Sequence, residues 1–225
     1  VVAMPAGSHL QFGMRRQGTR AYLAVAGGID GPLMLGSRST HVRSGLGGLA
    51  GRALKKWDQL TVGRARAAAK HHVGRMLPES NRPQYQRAAA IRVVPGPQVD
   101  RFMDDALERL TRTPYRLSNE SDRMGYRLQG LALAHRTSAD IVSDAVSVGT
   151  IQVPADQQPI LLMADCQTTG GYAKLATMIA ADRSGAAQVS PGDTLSFIAT
   201  TYESASTLLR SVQAELDRLL PPHNA

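Results

Sequence analysis

"GTIQVPADQQPILLMADCQTTGGYAKLATMIAA", residues 149–181, decides how the chain is read. Three short apolar runs, "GTIQVP", "PILLMA" and "LATMIAA", follow one another with only "ADQQ" and "DCQTTGGYAK" between them. Strands at such close intervals indicate a barrel or sandwich rather than alternating β/α units, whose crossovers need more chain. The polar link after "PILLMA" contains glycines and a lysine, as a phosphate loop does. A Walker loop, however, sets glycine directly before lysine. Here Tyr172 and Ala173 intervene before Lys174, so the spacing fails.

The same reading extends outward. "YRLS", "MGYRLQG", "DTLSFIA" and "AIRVVPG" (residues 90–96) are further strand candidates. Pro97 suits the first turn of a helix, and Val99, Phe102, Met103, Ala106, Leu107 and Leu110 follow at helical spacing. In the first part of the chain, "RAYLAVAGG" (residues 20–28) and "DQLTVG" (residues 58–63) read as strands. They flank a glycine-rich loop anchored by Leu46, Leu49 and Leu54. The chain closes on an amphipathic helix. Thr200 and Glu203 have capping-box spacing, and Ala205, Leu208, Leu209, Val212, Leu216, Leu219 and Leu220 form its apolar stripe before Pro221 and Pro222. Packing of that stripe on the barrel is the expectation. The domain reading is a first β lobe over residues 1–72, a basic linker over 73–89, and a second β lobe with the terminal helix over 90–225.

Composition narrows the function. The 225 residues carry one cysteine, Cys166, which rules out an intrachain disulfide, and no Cys/His cluster has zinc-site spacing. A reducing, cytoplasmic setting is expected, with no membrane segment and no signal peptide. The net charge of +8 is uneven: residues 1–100 hold 15 Lys/Arg against 4 Asp/Glu, and the remainder 11 against 14. With only 4% aromatic residues, the basic part lacks the stacking platform of a nucleic-acid binder, so a solvated or partner-docked face is expected.

Several polar groups remain as candidates for chemistry. In "SDRMGYRL", Arg123 is a fork for a carboxylate or phosphate, and Asp122 its orienting partner or a general base. The amide of Gln167, the hydroxyls of Thr168, Thr169 and Tyr172, and the backbone at Gly170 and Gly171 offer neutral donors and acceptors. Such an array suits an amide or ureido group. Cys166 beside Asp165 is a poor thiolate, and His71–His72 reads as solvated. There is no G-x-S-x-G elbow and no H-E-x-x-H.

Taken in order, "AYLAVAGGID", "LGSRST", "GLGGLAGRAL", "SDRMGYRLQG", "IVSDAVSVGTIQVPADQQPILLMADCQTTGGYAKLATMIAADR" and "PGD" resemble one family. It is the biotin-dependent carboxyltransferase, or allophanate hydrolase subunit 2, family, which includes KipA proteins and the C subunit of bacterial 5-oxoprolinase. The resemblance implies a mainly β, cyclophilin-like barrel architecture. It also implies a KipI-like (allophanate hydrolase subunit 1) partner and, in 5-oxoprolinase, a third ATP-dependent lactamase component. The implied reaction opens the lactam of 5-oxoproline to glutamate with ATP used by the complex. The alternatives are carboxyl transfer from carboxybiotin to urea, with biotin on another chain because this one lacks Met-Lys-Met, and a non-catalytic KipA-type regulator. On this reading Ser37 and Arg38, in "LGSRST", line the same cleft from the first region. Two departures stand out: members usually carry further strands before the position matching Ala6, and a proline where Ala173 stands.

Overall fold

The computed structural model describes residues 1–65 and 67–219. It divides into two compact units: Val1–Phe12 with Ala21–Asn81, and Gly13–Arg20 with Arg82–Ala225.

The second unit is built on a closed barrel. Its strands are β1 (Ala88–Pro95), β2 (Tyr115–Leu117), β3 (Gly125–Gln129), β5 (Thr150–Gln152), β6 (Ile160–Leu162), β8 (Lys174–Met178) and β9 (Thr194–Ala199). The order β1-β8-β5-β6-β3-β2-β9 closes because β1 pairs antiparallel with β8 and parallel with β9, from Ala88↔Thr194 to Val93↔Ala199. Closure leaves no unpaired edge. Alternation fills the interior: Tyr115 and Leu117 point in around exposed Arg116, and Tyr126 and Leu128 around exposed Arg127. Tyr115 is fully buried because its phenol donates to the Leu131 carbonyl (2.9 Å), and burial pushes its ionisation up to about 12.

Two strands stand outside the barrel. β4 (Asp140–Ala145) and β7 (Thr169–Tyr172) form an antiparallel ribbon with a bulge between Asp140 and Asp144. β5 is buried along its whole length, and the ribbon covers it at Gln152. Ile151 belongs to the core, so its neighbours Thr150 and Gln152 point outward, yet both are buried. Gln152 is met by the ribbon, where its Nε2 donates to the Tyr172 carbonyl (3.3 Å). A Cβ at Gly170 would stand 2.5 Å from that nitrogen, so a larger residue there would displace the Gln152 amide.

The helix expected after Pro97 is broken in two. A 3-10 turn over Val99–Arg101 ends at Phe102, whose φ of −102° and ψ of 164° are extended, and α1 spans Ala106–Arg112. Phe102 is buried against His135, with ring centroids 4.7 Å apart, and Met103 N donates to the Ala134 carbonyl (3.0 Å). Tertiary pairing there overrides helical periodicity. A short α2 (Arg183–Ala186) follows the Ala180–Asp182 turn, where Asp182 accepts from Arg92 N (2.7 Å) and from its guanidinium (2.5 and 3.0 Å).

The terminal helix α3 spans Tyr202–Leu219, but its cap is one residue later than expected. Thr201 Oγ1 accepts from Ser204 N (3.2 Å), while Thr200 N is spent on the Val93 carbonyl (2.8 Å) at the end of the barrel pairing. Of the expected stripe, Ala205, Leu208 and Leu219 are half-buried, whereas Leu209, Val212 and Leu216 are exposed. The expected packing on the barrel is therefore partial. Leu220, Pro221 and Pro222 lie outside the described residues.

The first unit differs more from expectation. The strands foreseen over residues 20–28 and 58–63 reduce to one isolated bridge, Ile29↔Val62, with Asp30 N on the Thr61 carbonyl and Gly63 N on the Gly28 carbonyl. Apolar residues make a strand only where a neighbour accepts their backbone bonds and covers a face. Tyr22 and Leu23 are largely exposed. The glycine-rich loop is held largely by polar contacts, since of the three expected anchors Leu46 and Leu54 are exposed and only Leu49 is half-buried. Arg52 grips Asp58 with two bonds (2.7 and 2.9 Å), and Lys55 N adds a third (2.7 Å).

Candidate functional site

The Arg123 turn is set by Asp122. Its Oδ1 accepts from Met124 N (2.8 Å) and Gly125 N (3.2 Å), which makes it the cap of the turn entering β3. The carboxylate that orients Arg123 is not this neighbour but Asp165, 42 residues away. Nε and Nη2 donate to its two oxygens at 2.6 and 2.8 Å. The pair is brought together by β3–β6 pairing, extended by Met163 N on the Met124 carbonyl (2.9 Å) and Asp165 N on the Arg123 carbonyl (2.8 Å). A bidentate carboxylate fixes the plane of the guanidinium, which remains 59% exposed.

From Asp165 the chain runs directly into the polar segment singled out in the sequence. Gln167, Thr168 and Thr169 are exposed, and the Thr168 carbonyl accepts from Val146 N (3.0 Å). Thr169, Gly170, Gly171 and Tyr172 form β7, so the later part of the neutral array is a strand of the ribbon, with Gln167 and Thr168 just before it. Gly170 faces Gln152, and Thr169 and Gly171 therefore face away from the barrel. Tyr172 is 40% exposed. Asp122, Arg123 and Gln167–Tyr172 thus all lie in the second unit. Ser37 and Arg38 belong to the first: Ser37 closes a tight turn with Met34 (2.8 and 3.0 Å), and Arg38 Nε donates to the Gly31 carbonyl (3.2 Å) and lies 3.5 Å from Asp30.

A residue passed over in the sequence reading holds the ribbon down. Lys174 is buried, and its ammonium donates to Asp144 Oδ2 and to the Ala145 carbonyl (2.9 Å). The Lys174 bond first, and the Ala145 amide next, hold the Asp144 carboxyl below the usual carboxylate range. Gln98 completes the cluster by accepting from Lys174 N (3.3 Å). The available signal was a lysine between Ala173 and Leu175 at the head of an apolar run, where a charge needs a partner. Ala173 itself donates to the Ala139 carbonyl (2.9 Å), a bond that proline would lack. Burial, and secondarily Asp165, pushes the Cys166 thiol up, which argues against a nucleophilic thiolate. Among the described residues there is no cluster fit to hold a metal and no helix long and apolar enough to cross a membrane.

The second unit is thus a seven-stranded barrel with an outer two-stranded ribbon, and its Arg123–Asp165 pair leads directly into the polar segment Gln167–Tyr172. The chain belongs to the family of the carboxyltransferase domain, subdomain A and B, whose model matches residues 1–199. It is 39% identical to the 5-oxoprolinase C subunit of Escherichia coli, over 96% of this chain and 67% of that protein. Against the Haemophilus influenzae protein of the same name it is 37% identical, over 95% and 67%. Among solved structures, urea amidolyase of K. lactis superposes with a TM-score of 0.81 at 28% identity, covering 91% of this chain and 13% of that one.

Proposed function

We propose that the chain acts as the C subunit of an ATP-dependent 5-oxoprolinase complex, opening the lactam of 5-oxoproline to glutamate in a cytoplasmic setting together with a KipI-like protein and an ATP-dependent lactamase component. The supporting observation is the bidentate Arg123–Asp165 pair at the root of the neutral strip. 5-Oxoproline presents one carboxylate and one lactam amide. Arg123, held in plane by Asp165, takes the carboxylate, while Gln167, Thr168, Thr169, Tyr172 and the backbone at Gly170 and Gly171 take the amide. Donors fixed where charge develops on the amide oxygen favour ring opening. Asp122 presents the Arg123 turn and, on this reading, serves as the general base. No step of the lactam opening assigned to this chain's residues runs through the nucleotide.

Identity with urea amidolyase, 30% over 95% of the chain for the Lachancea kluyveri protein, supports a second reading. The neutral strip suits a ureido ring as well as a lactam, and carboxybiotin on another chain would supply the carboxyl group. Glutamate formation by the reconstituted complex, with 5-oxoproline and ATP, separates the readings. Turnover without any biotinylated component supports the first, and dependence on one supports the second.

A further inference from the structure

The segment Gly13–Arg20 carries an arginine pair that the proposed reaction does not use. Gln188 clamps it onto the barrel unit: Oε1 accepts from Thr19 N (2.7 Å) and Arg20 N (2.9 Å), and Nε2 donates to the Arg20 carbonyl (3.2 Å). Gly18, with φ of +65°, allows the turn, since a Cβ would stand 2.7 Å from Gln188 Oε1. A cleft of about 130 Å³ opens here, lined among others by Arg15, Arg16, Arg87 and Asp193. Arg15 Nη1 is fixed on Ser190 Oγ (2.8 Å), and Asp193 Oδ2 accepts from Ser190 N (2.9 Å). Among the described residues none of the three arginines forms an ion pair. Three guanidinium groups against one carboxylate leave the cleft at +2.

Such a charge concentrates doubly charged anions, and guanidinium forks match phosphate oxygens. The cleft is well below the roughly 300 Å³ at which pockets begin to hold a drug-sized ligand, so it takes a phosphate group and not a whole nucleotide. It lies at the same end of the barrel as the Arg123 turn. Ala88 and Thr194 begin β1 and β9 there, Leu117 N at the end of β2 donates to the Asp193 carbonyl (2.9 Å), and Gly125 begins β3.

We propose that this cleft is a phosphate-binding site, taking the dianion either as free phosphate or as the terminal phosphate of a nucleotide whose remainder stays outside. The proposal stands apart from the lactam reading, because binding is read without turnover. Isothermal titration calorimetry of the full chain with sodium phosphate, and separately with ATP, tests it. The Arg15→Ala/Arg87→Ala variant is compared with Arg101→Ala/Arg112→Ala, which removes equal charge elsewhere. Phosphate binding weakened about tenfold or more by the cleft variant alone is expected. Tighter binding of ATP than of phosphate identifies the nucleotide as the source, and equal or weaker binding identifies free phosphate. No binding of either anion, or equal weakening by both variants, overturns the proposal. Should the cleft variant fail to fold, Arg16→Ala gives the same reading, as its side chain makes no hydrogen bond among the described residues.

Discussion

Lys174→Met isolates the latch that holds the ribbon against the barrel. Methionine keeps the length and most of the volume of the lysine stem, so packing around this 5%-exposed side chain is little disturbed. Two hydrogen bonds from the ammonium are lost, to Asp144 and to the Ala145 carbonyl. Asp144 is 52% exposed and rehydrates when its partner is removed, so that bond contributes toward the low end, as exposed pairs do. The bond to the Ala145 carbonyl is charge-assisted, and relief of lysine desolvation offsets part of both losses. A net cost of about 1–2 kcal/mol is expected, which raises ribbon opening roughly 5- to 30-fold. Hydrogen exchange followed by mass spectrometry reads this directly on peptides covering residues 140–146 and 168–173. The core strands, represented by Leu128 and Leu195, should change far less. Unchanged ribbon protection, or loss spread evenly over the barrel, would refute the assignment of Lys174 as a latch.

Other perturbations follow from the same contacts. Asp165→Asn removes the charged fork behind Arg123 and should raise KM for 5-oxoproline more than it lowers kcat, as steady-state kinetics of the complex would show. Asp122→Asn keeps an acceptor for Met124 N and Gly125 N, so retained activity would assign Asp122 to turn shape alone. Loss of kcat with unchanged stability would support its role as base. Asp58 and Asp144 both have carboxyl groups lowered by hydrogen-bonded cations. Their folded-state contribution is complete above the ordinary aspartate range near pH ~4 and is lost as pH falls through the lowered values. Urea midpoints should therefore decline on acidification, and Asp144→Asn should flatten part of that decline.

The barrel was legible because its strands carry alternating or continuous apolar runs that a closed sheet buries. β4 and β7 were not, because "DIVSDA" and "TGGY" meet buried polar groups, Gln152 and Lys174, instead of an apolar core. The adjacency of Asp122 and Arg123 suggested a pair, whereas strand pairing supplies Asp165 from 42 residues away. Helical spacing after Pro97 was real but local, and the burial of Phe102 against His135 broke it. In the first unit the apolar runs over residues 20–28 and 58–63 do not form strands, since hydrophobicity alone does not provide a neighbour for the backbone.

The most direct measurement is ATP-dependent glutamate formation from 5-oxoproline by the reconstituted complex, with this chain and with its Arg123→Ala variant. The account predicts turnover that falls at least about a hundredfold without the guanidinium, in line with loss of a charge-assisted anchor worth roughly 3 kcal/mol. Equal rates for the two chains, with the variant folded, would contradict it.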